Sequence, residues 1–274
     1  MSTPAPSQSQ QSVPTVADDG VPTECAVFSV ESDLGHFRRV ASVDAKTTYR
    51  VPPRTTLAGL MAAIVGRDRD SYYDVFQPDN SALAITVDFE VKTLSHTKHD
   101  VGTNPDETFE SAGGTGQKSP KVYYPDTMTH RQLDSYEYLI DPKYTVYAAV
   151  EDTEFWTDLV SHLDAGTSIY PPSMGASELL ASIKYHGCLT PKRLDPDEPI
   201  EIDSVVPNAN DYIIPTGTPA QYEHVPAFME ANDTGRRTTA FADYAFTDSP
   251  DDTLTVRPDE ITPVDIDGTT VIFH

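Results

Sequence analysis

Two short stretches of helical periodicity, each bracketed by strand-like runs, restrict the fold of this 274-residue chain more than anything else in it. In the first, Leu57, Leu60, Met61, Ile64 and Val65 fall on one helix face. Pro52-Pro53 precede it, Thr55 or Thr56 stands where an N-cap belongs, and Gly66 marks the stop. In the second, Asp152 or Thr153 caps a helix that puts Phe155, Trp156, Leu159, Val160 and Leu163 on one face, with Gly166 at its end. A buried strand is expected over 25–30. Over 81–94, Leu83, Ile85, Val87, Phe89 and Val91 alternate with small or polar residues, the period of a strand. Further strands are expected over 132–140, 144–150 (across a Pro142 turn) and 179–185.

Between 25 and 190 the order is therefore strand, helix, strand, a long excursion, strand, helix, strand. Two split βαβ halves in this order make an α+β domain of the ferredoxin-like plan, which RNA-recognition domains share. Around that domain, residues 1–22 are Ser-, Gln-, Pro- and Thr-rich without periodicity, a disordered leader. The domain itself runs over 23–194, with 95–121 as an insertion too long and patternless for an ordinary connection. Residues 195–274 hold 17 acidic and three basic residues among short β-prone runs punctuated by Pro and Asp. They read as a smaller, acidic, β-rich C-terminal lobe in which Arg236-Arg237 is the one basic island.

Charge gives the first functional lead. The chain carries a formal charge of −24, with 43 acidic and 19 basic residues. Yet between His36 and Arg69 the basic residues Arg38, Arg39, Lys46, Arg50, Arg54, Arg67 and Arg69 face only Asp44 and Asp68. Arg50 and Arg54 lie just before a helix N-terminus, where the macrodipole disfavours cations, so a bound anion such as a phosphate is expected there. The competing reading is a loop whose arginines pair with the acidic remainder of the chain. Acidity spread along a folded sequence fits a protein working in very high salt. At about 1 M salt the Debye length is about 3 Å, so a nucleic-acid partner has to be held by close contacts, stacking and shape. Net charge then neither excludes nor supports RNA or DNA.

Cys25 and Cys188 are too few for a disulfide scaffold or a zinc site and read as small core residues. The N-terminus has no basic-then-apolar signal pattern, and the longest apolar run, 57–65, is too short to cross a bilayer. A soluble cytoplasmic protein with no membrane association is expected.

Several motifs dissolve on inspection. Gly113-Gly114-Thr115-Gly116 lacks the Lys-Ser/Thr of a phosphate-binding loop and opens no apolar helix. Asp233-Thr234-Gly235 spells the aspartic-protease triplet without a second copy and reads as a turn. His96 and His99 have metal-ligand spacing, but Lys98 between them discourages a cation and no third ligand is near, so no metal or other cofactor is expected. Tyr49, His96, Lys98 and His99 contain the parts of a metal-independent ribonuclease: a His or Tyr to take the 2′-OH proton and a Lys to stabilise the charged phosphate. The same side chains also suit lining an RNA groove without chemistry.

The pattern Leu34-Gly35-His36-Phe37-Arg38, followed by Tyr49-x-x-Pro52-Pro53-x-Thr55-x-Leu57-x-Gly59-Leu60-x-Ala62-Ala63-Ile64-x-Gly66, resembles the N-terminal signature of the Cas-five family. These are CRISPR-associated, RAMP-superfamily subunits of type I (Cascade) surveillance complexes. Leu139-x-x-Pro142-x-Tyr144 and Pro172-Ser173-Met174-Gly175-x-x-Glu178-x-x-Ala181-x-Ile183 are also similar to family patterns, the latter with Met where the family has Leu. The resemblance covers about residues 25–190 and is nearest to the subtype I-B members of extreme halophiles.

It implies a ferredoxin-like domain whose thumb-like insertion, 95–121, grips the 5′ handle of the CRISPR RNA. The partners implied are the CRISPR RNA, the Cas-seven backbone subunit, the large subunit (Cas-eight), a separate Cas-six processing nuclease, and target DNA through the complex. On this view His36, Arg38, Arg39, Lys46, Tyr49, Arg50 and Arg54, with the thumb residues His96, Lys98, His99, Lys118 and Lys121, contact RNA and no residue is catalytic. In subtype I-C the family member itself cuts RNA with Tyr, Lys and His, for which Tyr49, Lys98 and His99 are the counterparts. A scaffold that binds protein partners alone is the third expectation.

Overall fold

The computed structural model describes residues 12–39, 45–101, 131–195, 197–208, 212–232, 235–257 and 261–274. Strand β1 (Cys25–Glu31) leads through β2 (Leu34–Gly35), β3 (Phe37–Arg39) and β4 (Ala45–Tyr49) to helix α1 (Arg54–Val65). A 3-10 turn (Tyr73–Phe76), β5 (Ser81–Val87) and β6 (Thr93–Val101) follow. Then come β7 (Arg131–Ile140), β8 (Lys143–Val150), helix α2 (Thr153–Ala165) and β9 (Ser182–Leu189). The C-terminal part adds β10 (Lys192–Arg193), β11 (Ile200–Ile202), β12 (Val206–Pro207), β13 (Gln221–Asn232), β14 (Gly235–Phe246), β15 (Leu254–Val256), β16 (Val264–Ile266) and β17 (Thr269–Val271). No helix among the described residues is long and apolar enough to cross a membrane.

The central sheet has the order β5-β8-β1-β9, antiparallel throughout. Counted among themselves these strands run second, third, first, fourth, with α1 linking the first two and α2 the last two. Strand β5 shows why the alternation in its sequence is so clean. Leu83 and Ile85 enter the core beneath the helices, with Phe28, Val146, Leu57, Met61 and Trp156. The small Ala82 and Ala84 face the other way, where Val264, Ile266, Val271 and Phe273 cover them. All seven residues of β5 are buried as a result.

Helix α2 folds as its sequence requires. Asp152 accepts the Phe155 amide at 2.8 Å, all five predicted face residues are buried, and Gly166 closes the helix at φ 62°. Helix α1 differs at its start. Pro53, at φ −55° and ψ 150°, is the cap; Arg54 already lies in the helix, so Thr55 and Thr56 are first-turn residues and not caps.

A second sheet, β2-β7-β4-β3 with β6 along β7, stands beside the first. Here the expected strand over 81–94 is divided: β5 ends at Val87, and Thr93 and Leu94 join residues 95–101 of the expected patternless insertion in a separate strand. Their side chains over 93–97 are exposed, so no apolar alternation marks them. Residues 102–121 of that insertion, with Lys118 and Lys121, lie outside the described residues. So do residues 1–11 of the expected leader, whereas Val21 is buried against β1 and β5. The expected strand at 179–185 is found three residues later, as β9.

The sequence reading missed the largest element of the acidic C-terminal part, the twelve-residue pair β13 and β14. Pro226 sits inside β13, which argues against a strand. It is tolerated because the register shifts there by a bulge, between Pro226 and Phe228. Val225, Ala227, Ala242, Tyr244 and Phe246 of this hairpin join the same core cluster as α1 and α2.

Candidate functional site

Helix α1 turns one face, Thr55, Thr56, Gly59, Leu60 and Ala63, toward an open groove of about 750 Å³. These positions follow the i, i+4 spacing of one helical stripe. Gly59 keeps that floor low, since a Cβ there would stand 3.2 Å from the Tyr72 hydroxyl. One wall is the bend between β2 and β3 at His36, Phe37 and Arg38, together with Ser173, Gly175 and Glu178. The bend is fixed by the Pro172-Ser173-Met174-Gly175 stretch. His36 N donates to the Met174 carbonyl at 3.0 Å, and a Cβ on Gly175 (φ 92°) would lie 2.0 Å from His36 O. Only glycine fits that approach. Lys98 and Tyr136 come from the β6–β7 hairpin, and Pro226, Met229 and Arg236 from the β13–β14 hairpin.

Three cations from segments far apart in sequence thus line one groove, with Glu178 as its acidic lining residue. Arg38 makes no ion pair with another described residue. Arg236 is 3.6 Å from Asp70 and hydrogen-bonds Tyr73, whose hydroxyl donates to Asp70 at 2.5 Å. Lys98 lies over the Tyr136 ring, 5.3 Å from its centroid, and pairs with Glu178 at 2.6 Å. That bond holds the Glu178 carboxyl below its ordinary pKa. His36 is buried with Nδ1 2.7 Å from the Glu137 carbonyl, its ring tilted against Tyr136 and Tyr138 at 5.5 and 5.7 Å. Burial lowers its pKa. The groove therefore offers separated positive charge, aromatic faces and a helix start, a set suited to a polyanion bearing flat rings.

Most of the predicted basic window is elsewhere. Arg54 is a correction to the expected anion site: it is fully buried, and its guanidinium donates to the main-chain oxygen of His274 and to Ser81 O and Oγ at 3.0 and 2.7 Å. Burial lowers it to about 10, so it stays charged at neutral pH. The tolerance for a cation at this helix start comes from those acceptors and from the face of Phe228, 4.9 Å away. Arg50 is also turned inward, 3.0 Å from Glu137 and 3.9 Å from Glu223. Lys46 pairs with Asp134 at 3.6 Å, Arg67 with Glu154 at 3.0 Å and Arg69 with Asp70 at 3.7 Å. Arg39 is exposed beside a second, smaller hollow with Tyr222 and Glu223, its guanidinium 5.9 Å from the Tyr49 ring.

The ribonuclease set is not gathered. Tyr49 belongs to the main core, and burial raises its pKa. Lys98 lines the groove and Tyr49 does not. His96 is exposed on β6 opposite Tyr136, and the side chain of His99 lies outside the described residues. Among the described residues no three His, Cys, Asp or Glu side chains cluster as for a metal. Arg236 is the groove cation the sequence reading left out of the site, although its isolation in an acidic segment was the available signal.

The fold has counterparts among solved structures. The chain resembles a crystal structure of a CRISPR protein from Archaeoglobus fulgidus, at 14% identity and a TM-score of 0.51, over 91% of this chain and 98% of that one. It also resembles a chain of a CRISPR RNA-guided surveillance complex, at 14% identity and a TM-score of 0.50, over 86% of this chain and 92% of that one. At such identity these likenesses show a shared fold. No curated protein matches the sequence. The family described as CRISPR-associated protein (Cas_Cas5) matches residues 25–186, the part that holds the central sheet, both helices and two of the three groove cations. The chain therefore belongs to the Cas-five family of CRISPR-associated proteins.

Proposed function

We propose that the chain is the guide-RNA-binding subunit of a type I (Cascade) surveillance complex and holds the 5′ handle of the CRISPR RNA without cleaving it. The observation that carries this reading is the groove over α1, where Arg38, Lys98 and Arg236 converge beside Tyr72 and Tyr136. Phosphates meet the cations, and base or sugar faces meet the rings. Membership of a CRISPR-associated family supports an RNA ligand over the protein-only scaffold. The sheet order and the two crossing helices support the ferredoxin-like plan, and the β6–β7 hairpin is the base of the thumb in this reading. The protein partners are the Cas-seven backbone subunit and the large Cas-eight subunit, with Cas-six as the processing nuclease of a subtype I-B system in a halophile's cytoplasm. Target DNA is met through the complex, read by guide pairing and not by this chain.

The test is the Arg38→Glu, Arg236→Glu double variant, purified within its complex in molar KCl. Guide RNA recovered per complex falls about tenfold, the scale of losing two phosphate contacts. Wild-type recovery removes the groove as the RNA site.

A further inference from the structure

We infer that His36 is a hydrogen-bond acceptor for a nucleotide donor group, a ribose 2′-hydroxyl or a base N–H, at the Tyr136 end of the groove. The inference rests on the RNA-binding reading and adds to it which chemistry is recognised there. His36 Nδ1 lies 2.7 Å from the Glu137 carbonyl. A carbonyl only accepts, so Nδ1 carries the proton and Nε2 presents a lone pair. Burial favours the neutral ring. Nε2 is itself buried and has no hydrogen-bond partner among the described residues, although a buried acceptor is ordinarily satisfied.

Among the described residues none donates to it. Glu178, which interacts electrostatically with His36, is an acceptor when ionised. The Lys98 ammonium is engaged by that carboxylate at 2.6 Å and lies over Tyr136. The Nδ1 bond to the Glu137 carbonyl sets the orientation of the ring. The main chain at His36 is clamped by Met174 O and by the approach of Gly175, and the imidazole is wedged against Tyr136 and Tyr138.

A fixed acceptor inside an otherwise cationic groove makes a chemical distinction. Phosphate oxygens accept and do not donate, so they suit Arg38 and Arg236 and have no use for Nε2. A ribose hydroxyl or a base N–H does, and the 2′-hydroxyl is the group that separates RNA from DNA. Nε2 is closed to water in this conformation, so the donor reaches it as Tyr136 or Lys98 shifts. Drawing Lys98 from Glu178 to a phosphate is one such shift.

The test uses the full chain in molar KCl with synthetic RNA of the host's CRISPR-repeat sequence, its 2′-O-methyl form and its all-deoxy form. His36→Phe keeps a ring and removes the acceptor, while His36→Gln restores an acceptor oxygen. The expected result is RNA binding about fivefold weaker in His36→Phe and recovered in part by His36→Gln. If the 2′-O-methyl and all-deoxy strands already bind wild type weakly and do not respond to His36→Phe, the donor is the 2′-hydroxyl. If all three strands weaken alike, it is a base N–H. Wild-type affinity of His36→Phe for every strand overturns the inference but leaves the groove reading standing. Failure of wild type to bind any strand overturns both. Should His36→Phe not fold, 15N NMR of the wild-type imidazole decides: Nε2 shifts upfield on adding the repeat RNA, and an unmoved resonance rejects the inference.

Discussion

Two sets of basic residues flank helix α1, and they differ in where their charge goes. Behind the helix start, Arg50 and Arg54 are turned into the protein and bound by its own carboxylates and main-chain oxygens. Across the groove, Arg38 stands exposed without a carboxylate partner among the described residues, and Arg236 and Lys98 line the opening, Arg236 beside Asp70 and Lys98 paired with Glu178. The first set is engaged inside the fold, and the second stays at the groove, where the proposed RNA contact lies. In so acidic a chain a cation is scarce, and a buried one has to be surrounded by acceptors before it is tolerated. Arg54 meets that condition: it ties α1 to the start of β5 and to His274.

The largest effect is expected where the inner set is broken. Arg54→Met loses three hydrogen bonds from a charged donor and leaves buried acceptors unpaired, which costs about 2–4 kcal/mol. Denaturant titration at constant molar salt measures it, and a loss under about 1 kcal/mol erases the distinction between the two sets. Next comes the outer set. The Arg38→Glu, Arg236→Glu variant loses guide RNA about tenfold with an unchanged thermal midpoint, because both side chains are at the surface. A lowered midpoint would move these residues into the structural group.

Arg50→Ala sharpens the boundary. It leaves the buried carboxylate of Glu223 without its nearest cation, so stability falls by about 1–2 kcal/mol while RNA affinity stays within about twofold. Weak RNA binding in a well-folded Arg50→Ala protein would place Arg50 in the outer set. The smallest effect is at Lys98. Its pair with Glu178 is exposed and screened by salt, worth under about 1 kcal/mol. The folded Glu178 pKa lies below its unfolded value, so this small stabilisation is present above about pH 4.5 and is lost as pH falls through the folded pKa. In Lys98→Ala, NMR titration finds the Glu178 pKa raised toward its ordinary value. A pKa that stays low in Lys98→Ala assigns the shift to another partner.

How far the sequence could be read followed from how local each signal was. The buried face of α2, its Asp152 cap and the Gly66 and Gly166 stops were all legible, because each depends on residues within a turn or two. The start of α1 was misplaced by two or three residues because Pro53 ends the extended segment without any side-chain cap. Strand β6 was invisible because its exposed residues leave no alternation, and β13 was hidden by a proline that a bulge accommodates. At the groove, Arg38 and Lys98 were among the expected RNA contacts and Arg236 was noticed but left out, while Arg54 was counted among the contacts and is buried.

By itself, the sequence determined the two helices and their apolar faces, the buried strands β1 and β5, and the family motifs, because period and cap chemistry are set by neighbours along the chain. The tertiary structure alone decided which cations remain open to a ligand. Whether an arginine is consumed depends on acceptors that approach from distant residues, Ser81 and His274 for Arg54, Glu137 and Glu223 for Arg50. Desolvation of a charge is governed by that three-dimensional enclosure, and no spacing along the chain records it.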